Sequence, residues 1–284
     1  MSALPSKAYV APTELAPQQP PPPRVSKPWN ATRAWGYGLM AFWIIVVIAL
    51  IAWLVAGYDP AKIERYAPRY FNGLLTTLTL VSISIVLGAI LSLPIAFARM
   101  SNNPFLSATS YGYVYLFRGT PLLAQLFLIY YGLGTFREQL EAVGLWLFFR
   151  DAWNCALFAF TLNTAAYQAE IVRGAVQSVP KGQWEGASAL GISRLQAFRK
   201  IIAPQAMVVA LRPYGNEIIL MIKGSAIVAL ITVFDLMGET RRAFSRTFDF
   251  QTYIYAAIFY LIIVEVLRNV WNWLERRLTR HLVR

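Results

Sequence analysis

Residues Gly73–Phe97 read GLLTTLTLVSISIVLGAILSLPIAF, and this stretch decides the fold class. It holds 25 residues and no charged side chain. A helix of about 20 apolar residues is long enough to cross the hydrocarbon core of a bilayer. A second uncharged run of 18 residues, Leu39–Ala56, precedes it. One such run could be a buried helix of a soluble protein, but several in one chain indicate a membrane protein.

Four further segments are apolar but carry polar side chains that must be satisfied inside a bundle. Hydrophobic residues make up 57% of the chain and charged residues 14%, whereas soluble domains carry about 25% charged residues. We predict an all-α polytopic membrane helix bundle of about six transmembrane helices. A β-barrel is disfavoured, since its strands would alternate polar and apolar residues. The four further segments are Tyr111–Gly134, Trp153–Val172, Pro204–Val233 and Phe250–Leu267.

Composition divides the chain into three parts. Residues 1–37 are rich in proline, with four consecutive residues at Pro20–Pro23, and we predict a disordered cytoplasmic tail because such a sequence cannot bury a core. Residues 38–69 are predicted to form an additional N-terminal transmembrane helix and an outer loop. Residues 70–284 are predicted to form the main transmembrane domain. The first apolar run begins too far from Met1 to be a secretory signal peptide.

Residues 180–204 form an amphipathic segment between two predicted spans. Trp184, Ala187, Ser188 and Gly191 recur at helical spacing, and glycine is common just past a helix end. Ser193 with Gln196 then resembles a capping box that opens a second short helix. Two short helices at an angle would form a cytoplasmic protrusion suited to binding another protein. On spacing alone, an ordinary helix pair in a surface loop remains an equal alternative.

The distribution of Lys and Arg predicts the orientation. With the N-terminus in the cytoplasm, the inner segments carry more Lys and Arg than the outer ones, which agrees with the positive-inside rule. Residues 180–204 then lie in the cytoplasm. The net charge of +12 is explained by cationic loops beside anionic membrane lipid, so nucleic acid is not a predicted partner.

The sequence lacks the residues that several enzyme classes require. Cys155 is the single cysteine and His281 the single histidine, so a zinc site, a thiol protease or a Ser-His-Asp hydrolase is excluded. There is no G-x-x-x-x-G-K-[ST] loop to bind phosphate. We therefore predict a chain that is no enzyme and binds no metal or cofactor. Any ATP would be bound and hydrolysed by a partner chain.

Polar side chains on the fourth predicted span are the candidate solute contacts. Asn163, Tyr167 and Glu170 share one helix face, and Thr164 flanks them. Ionisable residues inside a membrane usually face the bundle interior or a water-filled path. Glu217 is the best further candidate. An acidic stripe favours a cationic solute.

A purely structural role for the same side chains stays open. Glu170 could pair with Arg173 one turn further on. Asn163 could hold neighbouring helices together. Arg118, Gly119 and Pro121 lie where a helix can bend, and we interpret them as structural residues.

The segment at 185–204 resembles the cytoplasmic loop of bacterial ATP-binding-cassette import permeases. That pattern is E-A-A, three residues, G, nine residues, then I-x-L-P. Here Glu185, Gly186, Ala187 and Gly191 are followed in register by Ile201 and Pro204. Gly186 replaces the first alanine of the pattern, and an alanine replaces its leucine. In that family this loop forms coupling helices that seat in a groove of the ATPase subunit, and the resemblance implies the same role for these six residues.

Further motifs are similar to the polar amino acid permeases of the histidine/lysine/arginine/ornithine and opine branch. The resemblance extends from about Tyr70 to Arg277, while residues 1–69 depart from the pattern of that family. It implies that Glu170 holds the substrate, because a glutamate at this position does so in the histidine-type permeases. The motifs are Phe117–Leu122 (FRGTPL), Asn163–Tyr167 (NTAAY), Val179–Gly182 (VPKG), Gly215–Glu217 (GNE) and Lys223–Ala226 (KGSA).

Membership of that family implies a multi-pass protein of the bacterial inner membrane that imports polar amino acids. It also implies three partners: an ATP-binding-cassette ATPase, a second permease chain that is identical or paralogous, and a periplasmic amino-acid-binding protein. The alternative is a secondary transporter or channel for a small polar solute. An internal repeat or a filter-like segment would favour that alternative, and neither is evident in the sequence.

Overall fold

A computed structural model describes residues Asn30–Arg280, which are helical and contain no strand within that range. This part of the chain divides into two compact units, with the boundary between Tyr58 and Asp59. Most of the proline-rich tail expected at residues 1–37 lies outside the described residues. The boundary at residue 69 expected from the sequence therefore moves to residue 58.

The first unit contains one helix, α1 (Ala31–Ala56). The Asn30 side chain caps it by accepting a hydrogen bond of 3.0 Å from the Arg33 N–H, as asparagine commonly does at a helix start. Because of this cap, residues 31–37 are helical, and their assignment to the tail was wrong. No α1 residue is buried within its unit, and an apolar surface on all sides is typical of a helix in lipid.

The second unit contains eleven helices within the described residues. Two π-helical turns and one 3₁₀ segment extend them: Leu128–Gly132 continues α4, Phe198–Ile202 joins α9 to α10, and Ala226–Ile231 continues α10. The helices are α2 (Pro60–Arg99), α3 (Pro104–Gly119), α4 (Leu122–Phe127), α5 (Arg137–Ala142), α6 (Trp146–Phe149), α7 (Ala152–Ser178), α8 (Lys181–Ala189), α9 (Arg194–Ala197), α10 (Ala203–Ser225), α11 (Leu236–Thr247) and α12 (Gln251–Leu278).

Helix α2 is 40 residues long and begins earlier than expected. The Asp59 side chain accepts a hydrogen bond from the Ala61 N–H, and Pro60 occupies the first turn, where its missing N–H costs nothing. Residues 60–69 are therefore helical rather than an outer loop, which corrects the expectation for residues 38–69.

Helix α7 lies at the centre of the second unit. It packs against α2, α3, α4 and α10. Phe160 and Cys155 of α7 are fully buried and join Leu80 of α2 and Ile222 of α10 in the main apolar cluster. The middle of α7 is mostly buried, so its polar side chains depend largely on partners inside the protein.

Four helical segments within Asn30–Arg280 are long and apolar enough to cross a membrane: Ala31–Ala56, Pro60–Arg99, Arg194–Ile231 and Gln251–Leu278. Helix α7 has 27 residues and supplies the predicted fourth span, although its polar residues keep it out of this set. The predicted third span is two helices rather than one. Helix α3 ends at Gly119, Thr120 is extended, and α4 begins after Pro121. The predicted bend at Arg118, Gly119 and Pro121 is therefore a complete break, since Pro121 has no N–H for a continuing helix.

Candidate functional site

Asn163 of α7 stabilises the break between α3 and α4. Its Nδ2 group donates to the Phe117 carbonyl at 3.1 Å and to Gln125 Oε1 at 2.9 Å. Gln125 Nε2 in turn donates to the carbonyls of Phe117 and Thr120. Interrupting a helix leaves carbonyls without their usual partners, and these two amides satisfy them. In this conformation Asn163 holds helices together, as the second interpretation of the sequence proposed.

Thr164 lies on a different side of α7, in a buried polar network with α10. Its hydroxyl donates to Glu217 Oε1 at 2.9 Å and accepts from Gln168 Nε2 at 3.0 Å. Gln168 also bonds the Ile85 carbonyl of α2 and accepts from the Tyr214 hydroxyl. The network thus ties α2, α7 and α10 together. Gln168 was missed from the sequence, although its position four residues after Thr164 indicates the same helix face.

Glu170 lies at the centre of three arginines. Its carboxylate accepts from Arg173 Nη2 at 2.7 Å and from Arg99 Nε at 3.2 Å, and Arg118 Nη1 lies 3.7 Å from Oε2. The Glu170 side chain is 13% exposed. The predicted pairing with Arg173 is present. The pairs with Arg99 and Arg118 were not predicted, because both residues are distant in sequence and lie on other helices.

Two clefts meet at Glu170. One, of about 370 Å³, lies between α3, α7 and α10 and is lined by Tyr167, Val209 and Pro213. The other, of about 380 Å³, lies between α2, α3 and α7 and is lined by Arg99 and Tyr111. Both are also lined by Arg118 and Glu170. Arg118, which the sequence suggested was structural, is therefore part of the candidate site.

Tyr167 holds the Arg118 guanidinium in place. The Arg118 Cζ atom lies 5.2 Å from the centre of the Tyr167 ring, which is the distance of a cation–π interaction. Asn163, Tyr167 and Glu170 share one face of α7, and all three contact α3. Thr164 and Glu217 lie in the separate network between α7 and α10. The signal for Arg118 was available in the sequence: a charged residue inside an apolar run.

Residues 180–204 form the protrusion predicted from the sequence, with one difference. Helix α8 ends in a Schellman turn: Gly191 has φ +69°, its N–H bonds the Ser188 carbonyl, and the Ile192 N–H bonds the Ala187 carbonyl. The Ser193 hydroxyl then caps α9 by accepting from the Gln196 N–H. The second helix is not a separate short one, because the π turn containing Ile201 carries the chain past Pro204 into α10.

The protrusion has a buried side and an exposed side. Ala187 and Ile202 are buried, and Ile202 packs with Val179 and Ala206 at the ends of α7 and α10. Glu185 and Gly186 are exposed, as are Leu190 at 79% and Leu195 at 66%. The exposed side thus combines apolar side chains with a carboxylate.

Comparison with known proteins identifies the family. Residues 84–280 match the family described as binding-protein-dependent transport system inner membrane component, which is more than half of the chain. The chain belongs to this family. It is a multi-pass transport subunit of the inner membrane that works with a separate ATPase and a substrate-binding protein, and it is not an enzyme. This membership supports the importer over the alternative of a self-contained transporter or channel.

Individual relatives and a solved structure agree with this assignment. The nopaline transport system permease protein NocM of Agrobacterium fabrum is 44% identical over 216 residues, covering 76% of this chain and 90% of the relative. The histidine/lysine/arginine/ornithine transport system permease protein HisM of Escherichia coli K12 is 40% identical, covering 74% and 89%. A crystal structure of an amino acid ABC transporter with histidines matches with a TM-score of 0.69 and 34% identity, covering 78% and 99%.

Proposed function

We propose that the chain is the permease of an importer for polar amino acids or opines, and that Glu170 binds the cationic group of the solute. The position of Glu170 on the walls of both clefts carries this assignment, since a solute moving between them must pass its carboxylate. Relatives are named for nopaline, arginine and histidine transport, and each of these solutes carries a basic nitrogen that is cationic at neutral pH.

The other predicted residues take supporting roles in this proposal. Tyr167 lines the cleft beside Glu170. Thr164 and Glu217 form a second polar layer that the solute reaches when the network with Gln168 opens. Asn163 contacts the solute only in a state where the break between α3 and α4 rearranges. Exposed apolar side chains of the long helices face membrane lipid.

Transport is coupled to ATP through residues 180–204. ATP is bound by the partner ATPase, whose groove receives the exposed side of α8 and α9, around Glu185 and Gly186. Gly191 sets the angle between the two helices, and Ile201 and Pro204 pass the movement into α10. Closure of two ATPase subunits rocks this chain and a second permease, identical or paralogous, between outward-open and inward-open states. A periplasmic amino-acid-binding protein delivers the solute to the outer side.

Glu170→Gln tests the solute site. We expect solute-stimulated ATPase activity of the reconstituted complex to fall about tenfold or more, because a hydrogen bond to a charged group contributes about 1.5–3 kcal/mol. L-arginine, L-histidine and nopaline serve as probes, each added together with the periplasmic binding protein of the importer. Glu170→Asp, which keeps the charge, should retain part of the response.

The matched control is Glu265→Gln, which alters an exposed carboxylate on α12 paired with Arg268. It should leave stimulation unchanged. Recovery of the ATPase with each variant shows whether the complex still assembles. An assembled Glu170→Gln complex with wild-type solute dependence would limit Glu170 to pairing helices.

A further inference from the structure

Arg118 is the most exposed and the least tightly bonded of the three arginines around Glu170. Its side chain is 43% exposed, against 15% for Arg99 and 27% for Arg173. At 3.7 Å its contact with the carboxylate is longer than a hydrogen bond. Among the described residues it donates no side-chain hydrogen bond, so its N–H groups are available to the clefts.

The other two guanidiniums are already occupied. Arg173 makes three hydrogen bonds to the Glu170 carboxylate and donates a fourth to Gln177. Arg99 bonds Glu170 and stacks over the Tyr111 ring at 4.8 Å. Neither can turn toward a cleft without losing these contacts. Arg118 keeps its stacking on Tyr167 in either case, because the ring face leaves the edge of the guanidinium free.

The cluster has an excess of positive charge. In direct contact, one carboxylate faces three guanidiniums, and Glu217 adds only a more distant attraction for Arg118. Charge inside a membrane bundle is costly unless it is paired. A carboxylate is the natural partner of a guanidinium, which can bind it through two parallel hydrogen bonds. A solute that supplied only a cation would increase this excess of positive charge.

We propose that Arg118 binds a carboxylate of the transported solute while Glu170 binds its amino group. This inference rests on the proposed function and specifies which end of the solute each residue recognises. A zwitterion that enters between the two side chains replaces their one long ion pair with two short ones. Arg118 thereby selects solutes with a free carboxylate, a property of amino acids and opines alike.

Competition binding tests this assignment without the binding protein, which would impose its own selectivity. The complete permease–ATPase complex in lipid nanodiscs is equilibrated with radiolabelled L-arginine, and unlabelled L-arginine and L-argininamide compete. The two differ only in the carboxylate. We expect wild type to prefer arginine about 10- to 100-fold. Arg118→Gln should lose this preference, and Arg118→Lys should retain part of it.

Arg137→Gln is the matched control, because Arg137 is 64% exposed and paired with Glu141; it should keep the full preference. If Arg118→Gln does not assemble, Arg118→Lys provides the result, and a preference equal to wild type would overturn the inference. If Arg118→Gln binds arginine and still rejects the amide, the inference alone fails. If wild type binds none of L-arginine, L-histidine and nopaline, the proposed function fails and this inference with it.

Discussion

At the scale of single residues, Gly88 allows α2 to approach the polar layer of α7. A Cβ atom at this position would lie 2.4 Å from Thr164 Cγ2 and 3.1 Å from Gln168 Nε2. Thr164 is β-branched and stiff at χ1, and its hydroxyl is held by Glu217 and Gln168. The side chain therefore has little freedom to move aside.

Gly88→Ala should destabilise the protein and disturb the network around Glu217. Overpacking of this kind costs about 1–3 kcal/mol, and a lower thermal midpoint of the purified complex would measure it. Gly112→Ala on α3 is the control, because nothing lies within 4 Å of its Cβ position; it should be neutral or stabilising by up to about 1 kcal/mol. Equal midpoints for the two variants would contradict the close packing of α2 on α7.

Sequence reasoning at this scale found the residues of one helix but not their partners. The spacing of Asn163, Tyr167 and Glu170 predicted that they share one helix face, and in the structure all three contact α3. The arginines on α2 and α3 could not be placed, because helix periodicity says nothing about which helix lies opposite. The charge of the cluster, and hence the role of Arg118, depends on that tertiary information.

At the scale of the element, the turn after α8 depends on one glycine. Gly191 has φ +69°, a left-handed conformation that costs most other residues about 1–2 kcal/mol. Gly186 lies inside α8 with ordinary geometry and open space around its Cβ position. The two glycines therefore form a matched pair for testing the role of residues 180–204 in binding the ATPase.

Gly191→Ala should reduce recovery of the ATPase with the permease more than Gly186→Ala, which adds a methyl group without straining the backbone. Strain of about 1–2 kcal/mol shifts an equilibrium by a factor of about 5–30, and loss of the turn misplaces α8 relative to α9. Quantitative pull-down at several ATPase concentrations measures the effect. Glu185→Arg should also lower recovery of the ATPase, because it reverses a charge on the exposed side of the protrusion. Equal recovery of the ATPase with all three variants would refute docking through residues 180–204.

The ends of helices were predictable where a local signal sets them. Gly191 and Ser193 marked the end of α8 and the start of α9 correctly. Asn30 and Asp59 are equally clear caps, yet the boundaries at residues 37 and 69 were set by proline-rich composition and by the extent of the family resemblance, which do not mark helix starts. The continuous path from α9 to α10 could not be predicted, since a π turn leaves no simple sequence pattern.

At the scale of the whole second unit, a different set of contacts joins the helices at each of its two ends. At one end Lys62 of α2 pairs with Asp249 at 2.9 Å, and this hydrogen bond lowers the pKa of Asp249. At the other end α8 and the π turn after α9 pack on the ends of α7 and α10, and Arg212 of α10 pairs with Glu275 of α12. The fold thus fixes which loops share a side, and the charge bias predicts which side is cytoplasmic.

Cysteine labelling tests this orientation. Native Cys155 is buried, with Sγ 3.1 Å from the Phe149 carbonyl, so the unmodified chain provides an unlabelled background. In intact spheroplasts, a membrane-impermeant maleimide should label Thr135→Cys in the loop between α4 and α5. Gln183→Cys on α8 and Lys7→Cys near the N-terminus should react only after the membrane is opened. External labelling of Gln183→Cys would exclude contact between residues 180–204 and a cytoplasmic ATPase. External labelling of Lys7→Cys alone would place the N-terminus outside and would mean that α1 does not cross the membrane.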